Sequence, residues 1–559
     1  MALKSDLSAG YYYVCTALIV LLVISIIYLI HQIMTYINRT KKKDIPNLHK
    51  NETYENNDNI TPARSIHLIP TVWFHKFWNH VIHIVGVGEM SIGTIIILLI
   101  YLTVNIIFLA LPFETDEGVP HVTSIRFAYL GIANAAFIFP LATRNSIFTT
   151  LMGIPFERMI TYHRWVGRTI FWLLTFHASA QIQSNYNSSK SVSNSLWGTD
   201  VYKWGFLAYL FLSITVTMAN SVFRRFAFEW FYWSHFNFLF FIIFGCLHQK
   251  IFFYFTITGI VLYGIDKILR KIFGSFRTVN VTSVEAVSSG VTKIIFRFPT
   301  YYEAGQYIFV NFPFLKLPTS LIDWHPFSLS SPPLSSFGSS ISSSGGVNTA
   351  SIDDTVDEGF TSIHVKIQGG YTKTLYAKSQ QGSQLTETPL TMRVQGPYGK
   401  SSIDFSSYKT VLLVSGGVGI TPIISILGDL VDSQIKSNYI VTQAIHFLWV
   451  IPDIGSYSWF EKELEKIQQS AATLLPPEKY LLDIQVFLTR STTTPSSKFF
   501  PGRPNIRKIM KLIKQNHGSG DIAVGVCGPA PLIKEVRNAA GSESDVTCLF
   551  KTHTETFEL

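Results

Sequence analysis

Polar and apolar positions divide the chain into two unlike halves. From Asp6 to Arg39 there is no charged residue, and residues 11–33 read YYYVCTALIVLLVISIIYLIHQI. Such a run spans a bilayer core of about 30 Å and exceeds the roughly 7–15-residue core of a cleaved signal peptide. It reads as a retained signal anchor. Further apolar runs predict membrane spans at 90–112, 126–149, 164–183, 204–223, 229–247 and 251–268. After Arg270 the apolar runs shorten to strand length, with helical patterns between them. The pattern predicts a membrane half followed by a soluble half.

Charge refines this picture. Only 14% of the 559 residues are charged, and 47% are hydrophobic, against roughly a quarter charged in a soluble domain. An ordinary cytosolic globule, a disordered tail and a fibre are excluded. The net charge of +9 reads as membrane orientation, not nucleic-acid binding. Arg39, Lys41, Lys42 and Lys43 follow the first span. Arg144, Arg158 and Arg164 lie between the third and fourth, Arg224 and Arg225 between the fifth and sixth, and Lys267, Arg270 and Lys271 after the seventh. The alternate loops hold Glu114, Asp116 and Glu117, or the polar SNYNSSKSVSNS. Seven spans put every basic loop on one side, which the positive-inside rule makes cytosolic, together with the soluble half. Asn187 then faces outward as a glycosylation sequon, while the sequons at Asn38 and Asn51 do not. The four cysteines form no CxxC pair and predict no disulfide framework.

Histidines carry the first chemical signal. His80 and His83 sit on a short amphipathic stretch and read as interfacial. His163 and His177 bracket HRWVGRTIFWLLTFH, and His235 and His248 bracket HFNFLFFIIFGCLH. Both separations are close to four helical turns, about 20 Å along an axis. His163 then pairs in depth with His235, and His177 with His248. Two stacked pairs form two sites, each able to fill both axial positions of a haem iron. Ionisable residues inside a membrane are costly enough to point to function. Zinc needs four ligands at one point, and these pairs are too far apart.

The soluble half carries an ordered series of motifs. Gly305-Gln-Tyr307 opens the strand-like YIFVNFP. After it come WHPFSLSSPP (324–333), IHVKIQGGYTKTL (363–375), VQGPYGK (394–400), VLLVSGGVGITPIISIL (411–427), VFLTR (486–490), GVCGP (525–529) and a terminal HTETFEL. Residues 411–427 read as strand, Gly-rich turn and helix, a combination that offers backbone N–H groups to phosphate. Arg490, after an apolar strand, suits a bidentate contact with an adenosine 2′-phosphate. The Ser/Gly-rich stretch 334–351 and the acidic 353–358 cannot bury a core and read as a disordered cytosolic loop. No EF-hand loop is visible.

Spaced membrane histidines followed by HPFS, GGYT, GPYG, GGVGITP and CGP make the chain resemble the ferric reductase–NADPH oxidase family over roughly residues 90–559. Within that family it is most similar to short fungal metalloreductases. The resemblance implies a multi-pass α-helical haem-binding domain, an antiparallel six-stranded flavin barrel and an α/β nicotinamide domain. The last two form a module like ferredoxin-NADP reductase. The expected boundaries are 1–89 for the anchor and its cytosolic loop, 90–270 for the haem domain, 271–405 for the flavin domain and 406–559 for the nucleotide domain. It implies FAD, NADPH and two haems of the b type as cofactors.

Carried over, His163, His177, His235 and His248 match haem ligands, and His325, Pro326, Phe327 and Ser328 match the flavin motif. Gly370, Tyr371 and Thr372 match a segment near the flavin phosphates, with Thr372 as a donor. Gly416, Gly417, Gly419, Ile420, Thr421 and Pro422 match the nucleotide loop. Cys527, Gly528 and Pro529 match the segment beside the nicotinamide, where Cys527 needs no reactive thiolate. Phe557 is expected over the flavin ring until nicotinamide displaces it. Two positions depart from relatives: Tyr371 stands where Trp is common, and Ile451 where Arg is common. The implied function is electron transfer from cytosolic NADPH to ferric or cupric ions across a plasma or endoplasmic reticulum membrane. An oxidase making superoxide from O₂ is the alternative, and a catalytically silent scaffold the remote one. Lipid is an expected partner and nucleic acid is not. Protein partners stay open.

Overall fold

The computed structural model describes residues 2–44, 67–84, 88–111, 123–144, 154, 156–272, 277–298, 300–315, 324–333, 360–380, 390–399, 401–437, 441–472, 481–491, 498–517 and 520–555. The expected loop at 334–358, the acidic 113–122 stretch and Phe557 lie outside the described residues.

The membrane half is helical. Helix α1 (Ala2–Asp44) is followed by the short α2 (Ile69–Asn79) and a hairpin of β1 (Val81–Ile84) and β2 (Gly88–Ser91). Next come α3 (Ile92–Ala110), α4 (Ser124–Ile138), α5 (Phe156–Ser189), α6 (Asp200–Met218), α7 (Phe228–His235), α8 (Phe238–His248) and α9 (Lys250–Ile272). These helices coincide with the seven expected spans, the sixth being α7 and α8 together. Among the described residues seven helices are long and apolar enough to cross a membrane, but they are not the same seven. That set omits α5, whose charged first turns and polar SNYNSS tail dilute an otherwise apolar middle, and it includes Gly417–Ile435. The latter segment is buried in the core of the soluble half, where Ile420, Ile423, Ile424, Leu427 and Val431 are at most 1% exposed. The protein is an integral membrane protein. The third span ends earlier than expected because Pro140 opens a 3₁₀ turn and cannot donate to a continuing helix.

Helix α1 is more than an anchor. Tyr13 on α1 donates to Asn134 Oδ1 on α4 (2.8 Å), as does Tyr101 on α3 (2.7 Å), while Asn134 donates to Asn105 Oδ1 (2.7 Å) and Asn105 to the Tyr13 hydroxyl (3.2 Å). Within an apolar bundle such a satisfied network fixes which helices are neighbours.

The first soluble unit is antiparallel: β3 (Arg277–Val287), β4 (Val291–Arg297), β5 (Tyr307–Asn311), β6 (His325–Ser328), β7 (Phe360–Lys366) and β8 (Thr391–Tyr398), in the order β6-β5-β8-β3-β4-β7. Its edges meet where Ser330 N–H donates to Ser362 O (2.9 Å), closing the sheet around Ile294, Phe296, Ile308, Val310, Ile363 and Met392. Helix α10 (Gly370–Ser379) lies between β7 and β8.

The second unit is a parallel sheet of β9 (Thr410–Gly416), β10 (Ala444–Ile451), β11 (Leu481–Leu488), β12 (Phe499–Pro501), β13 (Ile522–Cys527) and β14 (Phe550–Glu555), in the order β12-β11-β10-β9-β13-β14. Helix α11 (Ile420–Ser437) covers one face and α12 (Ala530–Glu543) the other. Strands β9 and β13 are buried along their whole length, which is why they read as unbroken apolar runs. Strand order reverses between β9 and β13, and in such sheets ligands bind beyond the strand ends at that point.

Candidate electron-transfer site

Helix α5 carries one histidine of each pair. The His163 and His235 rings lie 6.2 Å apart between centroids, and the His177 and His248 rings 6.3 Å apart. An imidazole–metal bond is about 2 Å and the ligating nitrogen lies about 1 Å from its ring centre, so two rings on opposite sides of one iron have centres about 6 Å apart. Both pairs fit that spacing. Three Nδ1 atoms face backbone carbonyls: His163 to Ile138 (2.9 Å), His177 to Ser124 (2.8 Å) and His248 to Val201 (2.8 Å). A carbonyl only accepts, so each Nδ1 carries the proton and each Nε2 keeps a lone pair for a metal. Helix α4 serves both tiers, because Ser124 and Ile138 are spaced as His177 and His163 are. Nδ1 of His235 is buried without a protein partner. Among the described residues there is no cluster of three or more metal-ligating side chains, so the arrangement is of pairs.

One expectation needs correction. His235 and His248 do not share one regular helix. Thirteen residues at about 100° each stop roughly 140° short of four turns. The chain makes up part of the difference with i→i−3 bonds at Phe236, Asn237 and Leu239, where each residue turns by about 120°. Gly205 on α6 was not singled out from sequence. A Cβ there would meet Cε1 and Nδ1 of His248 at 2.8 Å, so only glycine lets α6 pass this ring.

In the antiparallel unit, His325 packs against Tyr371 with centroids 4.2 Å apart and the rings tilted by 37°, and Phe327 packs against Phe312 at 6.3 Å. Pro326 pairs with Phe309 across the β5–β6 ladder. The Ser328 hydroxyl is buried with no protein partner, an orphan that a flavin edge would satisfy. Space is open where side chains would stand at Gly369 and Gly370, at the first turn of α10, a place suited to phosphate. The Thr372 hydroxyl accepts from the Gln368 and Gly369 N–H groups and donates to Gly369 O, capping α10. The Tyr371 hydroxyl accepts from the Phe312 N–H (3.0 Å). Arg144, beyond α4, lies 3.4 Å over the Phe309 ring and donates to Gln395 Oε1 (2.5 Å), joining the membrane bundle to this unit.

At the switch point two loops interlock. A Cβ at Gly419 would stand 2.7 Å from Cys527 O, and one at Gly416 2.7 Å from Pro529 Cδ. Gly528 has φ +159°, and a Cβ there would meet Gly416 N at 2.9 Å. Gly417, with φ +56°, has open space beside it, so the turn presents bare backbone. Its carbonyl is held by Trp449 Nε1–H (3.0 Å). Ile420 and Thr421 are buried at the start of α11, where Thr421 donates to Val418 O (3.1 Å), and Pro422 continues that turn. Arg490 is exposed just beyond β11, its N–H donating to Pro452 O (2.9 Å). Ile451 is 1% exposed and faces the core.

Burial first, and then the charge of Glu555, pushes the Cys527 thiol well above its usual range. It stays protonated at neutral pH. Glu555 was missed from sequence. It pairs with Cys527 across the β13–β14 ladder and is held by His553 (2.7 Å), whose other nitrogen faces the Ser402 hydroxyl (2.9 Å). The signal was its alternate position in HTETFEL, on the strand beside Cys527.

A membrane bundle with two tiers of paired histidines is thus joined to an antiparallel unit and a parallel α/β unit. Family models agree in the same order. The ferric reductase like transmembrane component matches residues 127–246, an FAD-binding domain 276–341, and the ferric reductase NAD binding domain 408–498 and 487–541. Ferric reduction oxidase 7 (chloroplastic) of Arabidopsis thaliana is 26% identical over 408 residues, covering 69% of this chain and 50% of that protein. Ferric reduction oxidase 8 (mitochondrial) of the same plant is 28% identical over 323 residues, 56% of this chain and 40% of that protein. NADPH oxidase 1 of Mus musculus is 30% identical over 298 residues, 50% of this chain and 45% of that protein. The chain thus spans about half the length, or less, of these relatives. It belongs to the ferric reductase–NADPH oxidase family.

Proposed function

We propose that the protein is a metalloreductase that takes electrons from cytosolic NADPH and delivers them to ferric or cupric ions across the membrane. The observation that carries this reading is the pair of histidine tiers, with ring spacings of 6.2 and 6.3 Å on helices tied to a flavin–nucleotide module. When bound, the nicotinamide supplies a hydride, the flavin divides it into single electrons and the haems carry these one at a time. The chain's residues do the rest. The Gly416–Gly419 turn and the start of α11 receive the dinucleotide phosphates, and Arg490 meets the 2′-phosphate. Cys527 and Glu555 border the nicotinamide, and Ser328 donates to the flavin edge. The Nε2 atoms of His163 and His235, and of His177 and His248, would hold a haem iron at each tier, which would pass single electrons on to the acceptor. Basic loops on one side support the cytosolic placement of the soluble half.

Metal ions are favoured as acceptor by the sequence of the outward loops. Residues 113–125 and 184–203 are short and hold no cysteine, and the first carries Glu114, Asp116, Glu117 and His121, which draw cations near the outer tier. The ferric reduction oxidases among the relatives support the same reading. The murine NADPH oxidase supports the second reading, with O₂ as acceptor. The deciding assay offers an impermeant ferric chelate, a cupric chelate and O₂ in parallel under NADPH, with superoxide measured alongside. Metal reduction that persists with superoxide dismutase present is expected. If dismutase abolishes it and superoxide accounts for nearly all electrons, the oxidase reading stands instead.

A further inference from the structure

Helix α2 has two opposite faces with different surroundings. At about 100° per residue, Val72, His75 and Asn79 fall on one side, and this side meets the nucleotide unit. His75 Nε2 lies 3.1 Å from Phe550 O, and the Lys76 backbone passes close to Gly541. Flanking contacts extend the same attachment. His67 N–H donates to Val546 O (2.8 Å), and its ring lies 2.7 Å from Asp521. Asn538 on α12 accepts from Val81 N–H (2.9 Å) and donates to Val81 O (3.2 Å). The other side carries Ile69, Trp73 and Phe77 at 75, 63 and 39% exposure, with Phe74 at 54% beside them. Trp73 and Phe77 stack at 5.1 Å. An exposed aromatic stripe of this kind on an eleven-residue helix marks a partner surface.

The position of α2 identifies that partner. The β1–β2 hairpin leads from α2 directly into α3, and Ile92 N–H, in the first turn of α3, donates to His80 O just past α2 (2.9 Å). Trp78 lies against Gly93, where a Cβ would come within 2.4 Å of its ring. Helix α2 is therefore fixed beside the end of a membrane helix, with its bare face turned away from the nucleotide unit. We propose that α2 lies in the lipid headgroup layer at the leaflet where α3 begins, its Ile69–Trp73–Phe77 face among the lipids and its opposite face holding the nucleotide unit. Tryptophan and phenylalanine suit that depth, where amphipathic helices lie in the plane of the bilayer. The bilayer thus supplies part of the seat on which the electron-donating unit rests.

The test uses the full chain in liposomes with Cys15 and Cys246 replaced by alanine; Cys527 and Cys548 are buried. A spin label is placed through Trp73→Cys, Phe77→Cys, or the control Leu512→Cys, which is 47% exposed on the nucleotide unit. Flavin content checks folding. Labels at 73 and 77 should collide with oxygen several-fold more than with a water-soluble nickel chelate, and the label at 512 should show the reverse. Positions 73 and 77 as open to the nickel chelate as 512 would overturn the proposal. Labels shut off from both reagents would also overturn it, assigning the face to a protein partner or a second copy of the chain.

Discussion

Alanine at His163 removes one haem and alanine at His248 removes the other, each variant holding about half the haem of the parent protein while flavin binding survives. The expectation rests on ring geometry. In each pair the centroid spacing suits one iron between two imidazoles, and loss of either ring leaves that iron with one axial bond. The tiers share α4 and α5, but different carbonyls orient their rings. His163 is oriented by the Ile138 carbonyl near one end of α4, and His248 by Val201 at the start of α6. Damage at one tier should therefore leave the other in place. Reduced-minus-oxidised spectra with a pyridine haemochrome count provide the measurement. Full haem occupancy in either variant would overturn the ligand assignment.

Valine at Gly419 weakens NADPH binding more than alanine at Gly417 does. At Gly419 the first added carbon would stand 2.7 Å from Cys527 O and 2.8 Å from Cys527 C, and backbone cannot step aside as a flexible side chain can. Overpacking of this kind costs about 1–3 kcal/mol even where the surroundings yield, and the loops that must yield are those proposed to receive the nucleotide. A rise in KM for NADPH of about 10- to 100-fold follows, at about 1.4 kcal/mol per tenfold. Haem reduction by dithionite should be unchanged. At Gly417 an added carbon meets nothing, and only the φ of +56° is unfavourable, worth about 1–2 kcal/mol. Titrating NADPH against flavin reduction in both variants checks the order of effects. A Gly417 variant worse than the Gly419 one would place the phosphates elsewhere.

These expectations show which features sequence pattern reveals and which it hides. The α5 histidines were legible because a regular helix brings residues fourteen apart back to nearly the same face. Their partners at His235 and His248 were legible as a pair, but the tightened turn at Phe236–Leu239 that reconciles thirteen residues with two tiers was not. Period arithmetic assumes a uniform helix. The turn at Gly416, Gly417 and Gly419 was visible because it follows its strand at once and leads into a helix. The mutual approach of Gly419 and Cys527 joins loops more than a hundred residues apart, and no local pattern encodes it. The cap that Thr372 makes on α10 was not legible, because a threonine three residues into a helix can cap it as readily as bind a ligand. The attachment of α2 to the nucleotide unit was not legible, since its partner α12 lies more than 450 residues further along the chain.

The central claim is that electrons entering at the nucleotide unit leave on the opposite side of the membrane through the two histidine tiers. Its most direct test is vectorial. Liposomes carrying the full chain enclose an impermeant ferric chelate, and NADPH is added only outside, where it reaches those molecules whose nucleotide unit faces out. Ferrous chelate should appear inside at a rate that depends on NADPH, and the His163→Ala protein should produce almost none. Reduction only when NADPH and chelate share one compartment, or undiminished transfer in the His163→Ala protein, would contradict the account.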